Sequence, residues 1–487
     1  MKLLPLCLMS VFILLPSWSA ANVLIKEVRV VSPGKPVSDA VDVLIEGETI
    51  RAIGDLTARG DQVRVDQVIE GKGRFLTPGL IDSHVHLQGV PGESPAMPQA
   101  VREEALSQIP SSYLYFGFTT VLDLFSGDSL IDDWNKQPLA PTAYHCAGAP
   151  VPGGYPLAWI PPEDQLHTPA AHYYLYDPNQ PELMKATPGS DDHRPRPLVE
   201  RIVRTDARCI KIFYETGFGR LKNLPVPSRD TVRQLVTAAH AHQLPVYLHG
   251  NSEDAYKFAL QTGIDMVVHG LWHGEPDQAA LLAEQVAGAN LKVQPTMQVI
   301  RGERDLFDPT FFEKPELAQA MPPALIGWYR SNAGQWFAKE VSQGLPAKDG
   351  HHSHGAVEAA FARPFEVLDR FTAELFRKGG EVVFGSDTPS GPIYTQFPGL
   401  NGWREMQLWV EAGATSEQLF NALTIGNARV LRLEEVLGTV DVGKRADLLL
   451  LERNPRESAS NWDSIEWVIV KGRPVKRESL SAKRLVD

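Results

Sequence analysis

Cysteine is almost missing from this chain, with three residues in 487: Cys7, Cys146 and Cys209. That excludes a disulfide framework. There is no block of basic residues, no fixed-period repeat and no low-complexity tract. These absences count against a nucleic-acid surface, a collagen or coiled-coil rod, and a disordered chain. The formal net charge of −12 also disfavours nucleic acid.

Long apolar runs are equally scarce. The exception is Leu3 to Leu15, preceded by Lys2 and followed by small residues up to Ala21. A membrane span needs roughly 20 apolar residues, so residues 1–21 are predicted to be a secretory signal peptide. Without them the balance is 46 basic against 59 acidic side chains, or −13. The mature protein is then expected to be secreted or periplasmic, with no stable membrane span after signal cleavage. Only Cys146 and Cys209 would remain, and whether they pair is open.

What is plentiful is ordinary globular material: 43 % hydrophobic residues, 39 Gly and 38 Pro. Residues 22–75 are rich in strand patterns, and "VDVLIEGETIRAIG" reads as two strands turning at Glu46-Gly47-Glu48. The far end mirrors this. "RADLLLLERNP" reads as a strand, and "WVIVKGRPV" as a hairpin turning at Lys471-Gly472. Neither end has enough strands to close a core alone. A small β-sandwich domain built from 22–75 and 438–487 is therefore predicted.

Residues 76–437 alternate short apolar runs with amphipathic stretches, which signals parallel strands joined by crossover helices. About eight such units fit a (β/α)8 TIM barrel, an α/β fold. A doubly wound open sheet is the alternative. Thr415 and Gln418 form a capping box that marks one late helix start. Two irregular regions, 156–200 and 298–357, are predicted as long loops or insertions over the site, and a lid role for the second is open.

The chemistry concentrates at the ends of apolar runs. In "LTPGLIDSHVHLQG", His84 and His86 are two residues apart, so in a strand they share a face and can chelate one metal. Alone, such a pair is as readily two half-buried, hydrogen-bonded histidines. But "VYLHG" ends in His249, "MVVHG" in His269 and "VVFGSD" in Asp387. Catalytic groups of a barrel collect at the C-terminal ends of its strands. Lys211 lies inside the apolar run "CIKIF", where an ammonium is costly unless it is neutral, paired or snorkelling outward.

This constellation resembles the amidohydrolase superfamily, and most closely its imidazolonepropionase-like and Xaa-Pro dipeptidase-like branch. The tail "NALTIGNARVLRLEEVLGTVDVGKRADLLLLERNP" (421–455) is similar to the closing segment of that family. The resemblance implies a binuclear centre. His84, His86 and Asp387 would bind the first divalent ion, and His249 and His269 the second. Lys211, carboxylated to a carbamate, would bridge them. Zinc is the expected metal, with manganese, cobalt and iron open.

The implied reaction is hydrolysis of an amide or peptide bond by a metal-bridging hydroxide, with Asp387 as proton shuttle. A dipeptide such as Xaa-Pro or an N-acyl amino acid would be the substrate. Tyr214, shortly after Lys211 in "IFYETGFG", is a candidate donor to the oxyanion and equally a packing residue at the rim. Arg301 and Arg304 would hold a substrate carboxylate. Relatives often carry Gly-Gly-His after the third strand, where this chain reads Gly153-Gly154-Tyr155, so Tyr155 is a further candidate substrate contact. Other readings are a mononuclear deaminase or cyclic-amide hydrolase, and an esterase, lactonase or phosphotriesterase. A catalytically dead scaffold is disfavoured, because all six candidate positions hold ligand types. The "HHSH" at 351–354 reads as a solvated loop, and a homo-oligomer is open.

Overall fold

A computed structural model describes residues 22–56, 64–180, 190–218, 221–343 and 354–485. The signal-peptide expectation lies outside the described residues, as does the backbone of 351–353.

Both ends of the chain contribute to one eight-stranded sheet. Val23–Val30 pairs antiparallel with Ala40–Glu46, which turns at Gly47 into Thr49–Gly54. Gly47 sits at φ +62°, a left-handed conformation that glycine adopts without a Cβ penalty. Gln67–Glu70 lies parallel to the start of Val23–Val30. The joint between the two ends is Phe75–Pro78. Its Leu76 registers with Val30 on one side and Leu450 on the other. Leu448–Leu451 then pairs with Ile465–Val470, which turns at Lys471-Gly472 into Arg473–Lys476. The two predicted turns are observed. The two-layer sandwich is not: these strands form a single hydrogen-bonded sheet.

All four leucines of Leu448–Leu451 are buried. Leu448 and Leu450 face the sheet's own core with Val23, Ile25, Val43 and Ile45. Leu449 and Leu451 face the larger core shared with the helices. A strand covered on both faces needs an uninterrupted apolar run rather than alternation.

The middle of the chain is a TIM-barrel-like α/β structure. Leu80–Val85, Phe118–Asp123 and Thr142–His145 form one parallel sheet. Ala147–Gly148, Ile210–Phe213, Val246–His249, Met266–Val268 and Lys292–Gln294 form a second. The chain steps from the first sheet to the second through Cys146. On the opposite flank, Val382 makes a parallel bridge to Val293, and Thr388 makes one to Val85. The two sheets are thus linked on both sides, although the ladders do not close into one continuous barrel. Cys146 and Cys209 meet in a disulfide, both fully buried.

Helices connect the parallel strands. Arg229–Ala241 starts at Ser228 and Glu253–Thr262 at Ser252, each serine side chain accepting a backbone N–H of the first turn. The predicted capping box is present at Thr415 and Gln418. The later insertion is helical: Gln298–Asp305, Leu317–Ala320, Pro323–Arg330 and Trp336–Ser342. It docks on the loop that follows His86. The Tyr329 hydroxyl donates to the carbonyl of Pro91, and Trp336 Nε1 donates to Gly92 O at 3.1 Å. Among the described residues, no helix is long and apolar enough to cross a membrane.

Candidate metal centre

Four of the ligand-type residues sit at or just past the end of a strand. His84 is the penultimate residue of Leu80–Val85, and His86 follows it. His249 closes Val246–His249, and His269 follows Met266–Val268. Lys211 lies within Ile210–Phe213, and Asp387 follows Ser386, just before the Thr388 bridge. Parallel strands running the same way deliver all six side chains to one rim.

Their polar atoms converge. Asp387 Oδ1 lies 2.9 Å from His84 Nε2 and 3.0 Å from His86 Nε2. Donor atoms of these three residues all fall within 4.8 Å of one another. Lys211 Nζ is 3.1 Å from His84 Nε2. Beside it, His269 Nε2 and His249 Nδ1 are 2.9 Å apart. His269 Nδ1 reaches Asp387 Oδ2 at 3.8 Å, so the two groups share one floor. Asp387 (φ +52°) and His269 (φ +87°) both hold left-handed backbone. Outside glycine this is costly and persists where the surroundings over-determine it, which is common at functional sites.

Electrostatics sort these groups into donors. Burial pushes His84 down to about 3, helped by the Lys211 charge and opposed by Asp387. Burial likewise lowers His249, and His269 falls well below the usual imidazole range. At Asp387 burial works toward protonation, but the charge and hydrogen bonds of His84 and His86 win and hold the carboxyl well below its ordinary value. Burial lowers the Lys211 amine to about 8, with Asp387 and Asp123 pulling the other way. His86 is the exception. Burial would lower it, but its bonds to Asp123 and Asp387 raise it to about 9. Three neutral imidazoles, His84, His249 and His269, near an ionised carboxylate and a lysine that deprotonates readily suit a divalent cation. Among the described residues, His84 Nδ1 and His249 Nε2 are buried without a hydrogen-bond partner.

A cavity of about 390 Å³ opens onto this floor. Its walls are Phe125, Tyr155 and Phe213, and its base is His86, Lys211, His249, His269 and Asp387. The Tyr155 ring stacks on His249, 4.4 Å between centroids and 22° apart in plane. Burial pushes its hydroxyl well above the usual phenol range.

Three of the sequence candidates lie elsewhere. Tyr214 is half-buried and packs on Phe258, 4.9 Å between rings, outside the cavity lining. Strand alternation is the reason: Lys211 and Phe213 face inward, so Tyr214 faces the helices. Arg301 is held by Asp369 at 2.5 Å, and Arg304 by Asp305 at 3.0 Å and Glu358 at 3.3 Å. Both guanidiniums lie over Phe365 and neither lines the cavity. Sequence reasoning missed Phe213 and Glu215, although both share the parity of Lys211. It also missed Asp123, which accepts from the backbone N–H groups of Leu87 and Phe125, each at 2.8 Å, and lies 3.8 Å from His86 Nδ1. Its signal was its place at the end of "TTVLD".

Comparison with known proteins follows the same lines. Residues 360–476 match the amidohydrolase family Amidohydro_3. A 5-methylthioadenosine/S-adenosylhomocysteine deaminase of Caldanaerobacter subterraneus subsp. tengcongensis is 46 % identical over 67 residues, 14 % of this chain and 15 % of that protein. The chain spans only about 15 % of the first curated relatives it matches. A solved Xaa-Pro dipeptidase with bound methionine in its active site superposes with a TM-score of 0.61 at 20 % identity, covering 94 % of this chain and 100 % of that one. A prolidase complexed with N-methylphosphonate-L-proline gives 0.63 at 20 % identity, covering 94 % and 100 %. At that identity the likeness speaks for the fold.

Proposed function

We propose, from the premise that these findings support the amidohydrolase superfamily and its Xaa-Pro dipeptidase-like branch, that the chain is a binuclear metal-dependent hydrolase of an amide or peptide bond. The observation that carries this is the convergence of His84, His86, Lys211, His249, His269 and Asp387 on one floor. His84, His86 and Asp387 would hold one ion and His249 and His269 the other, with a carbamate on Lys211 between them. Zinc suits the donor set.

Bound divalent ions supply Lewis acidity and lower the pKa of water. The chain's own groups do the rest. Asp387 reaches into the cavity as an ionised carboxylate, so it can accept a proton and return it to a leaving amine. Tyr155 lies over His249 with a protonated phenol, a donor for a substrate oxygen. Phe125 and Phe213 exclude water and favour a substrate with an apolar or ring-shaped flank, which a proline supplies. Arg301 and Arg304 are engaged elsewhere, so the carboxylate role is withdrawn from them.

We also propose that residues 1–21 are a signal peptide and the mature chain is secreted or periplasmic. Residues 76–437 would be the catalytic unit, and 22–75 with 438–487 the supporting one. The test is a hydrolysis screen on the mature chain loaded with zinc and bicarbonate. Cleavage of Xaa-Pro dipeptides or N-acyl amino acids is the expected result. Turnover only of esters, lactones or phosphotriesters would reassign the bond. Turnover only of an exocyclic amine would make the chain a deaminase.

A further inference from the structure

We propose that Glu215 is a positioning residue for His249, orienting it as a ligand of the second metal ion. The inference rests on the binuclear reading above and adds a residue to it.

Glu215 is four residues beyond Lys211 and shares its side of the chain. It is 6 % exposed, a setting in which a carboxylate is costly unless it is bonded. Gly217 N donates to its Oε1 at 2.9 Å, and Asn251 Nδ2 donates to its Oε2 at 3.0 Å. These bonds fix the carboxylate and leave Oε2 facing His249 Nε2 at 3.7 Å. That nitrogen is buried and has no other hydrogen-bond partner among the described residues.

The two imidazoles of the second group divide their nitrogens consistently. His269 commits Nδ1 to Thr296 Oγ1 at 2.8 Å and turns Nε2 toward its neighbour. His249 turns Nδ1 toward His269 and Nε2 toward Glu215. The nitrogens that face each other are the ones free to take a cation. Each imidazole has an oxygen at its other nitrogen. A carboxylate at that outer position fixes the tautomer, sets the ring angle and raises ligand basicity. Glu215 touches neither the proposed substrate space nor an ion, so it acts through His249.

The experiment compares the mature wild-type chain with Glu215→Ala, Glu215→Asp and Glu215→Gln. Ions per chain are measured by elemental analysis against a graded chelator, with melting temperature in parallel. Expected is a wild type with two ions of distinct affinity. Glu215→Ala should weaken one of them about 10–100-fold and spare the other. Glu215→Asp should recover part of the loss. If Glu215 only braces the loop at Gly217, the variants melt earlier yet keep both ion affinities, and the proposal falls. If Glu215→Ala does not fold, Glu215→Gln and Glu215→Asp carry the same comparison. A wild type that binds a single ion overturns the binuclear reading itself, and the inference with it.

Discussion

Asp387 lies within 3.0 Å of two imidazole nitrogens, one from His84 and one from His86. Asp387→Asn keeps the shape and removes the proton acceptor. It is expected to lower kcat by about 10²–10⁴-fold while leaving substrate affinity within about twofold, measured by kinetics and by inhibitor binding. Equal losses in both would remove the proton role. Lys211 gives a pH prediction. Carbon dioxide adds only to a neutral amine, and this amine is lowered to about 8. Its neutral fraction is about a tenth at pH 7 and about nine-tenths at pH 9. Activation of ion-free protein by zinc, at fixed dissolved carbon dioxide, should therefore speed up roughly tenfold across that interval. A flat profile would leave Lys211 uncarboxylated. At this scale the sequence was readable where a residue's position follows from its own strand, as for the placement of His84 and His86 at one strand end. It was silent for Arg301 and Arg304, because their respective partners Asp369 and Glu358 lie on a helix 50 or more residues away.

A strand's alternation decides which of its residues meet the cavity. Ile210–Phe213 sends Lys211 and Phe213 inward and leaves Tyr214 against Phe258. Tyr214→Phe is expected to leave turnover within about twofold, whereas Tyr155→Phe should reduce it by about tenfold or more if the phenol donates to the developing charge. Parity along the strand separates the two roles open to Tyr214 and puts it among the packing residues, and the same parity points to Glu215. The neighbouring strand carries a second test. A methyl on Gly148 would overlap the ring of Phe125. Gly148→Ala should cost about 1–3 kcal/mol in stability and raise KM through the displaced wall, read by thermal melts and kinetics. The sequence marked these strands because their apolar runs are long. It could not mark how the ladders join, since single bridges at Val382 and Thr388 leave no pattern in composition.

Across the whole molecule, the sheet made from both ends holds the His84 strand in place. Phe75–Pro78 pairs with Leu448–Leu451 and runs through Gly79 directly into Leu80–Val85. Leu450 is buried at 1 % exposure and registers with Leu76 across this joint. Leu450→Asp buries an unpaired charge and should cost several kcal/mol, lowering both soluble yield and zinc content. Val442→Asp, at a 58 % exposed site on the same closing segment, should stay within about 0.5 kcal/mol. The composite character of this sheet was legible because neither end alone offers enough strands. Its layering was not, because Leu448–Leu451 is covered on both faces and reads as plain apolar sequence. There is a consequence for how the chain is made. A ribosome delivers Phe75–Pro78 early and its partner strand almost last. Throughout synthesis that edge stands unpaired, and open edges invite pairing with other chains. A premature stop codon shortly before Leu448 is therefore expected to yield an aggregating product, read as loss of soluble protein.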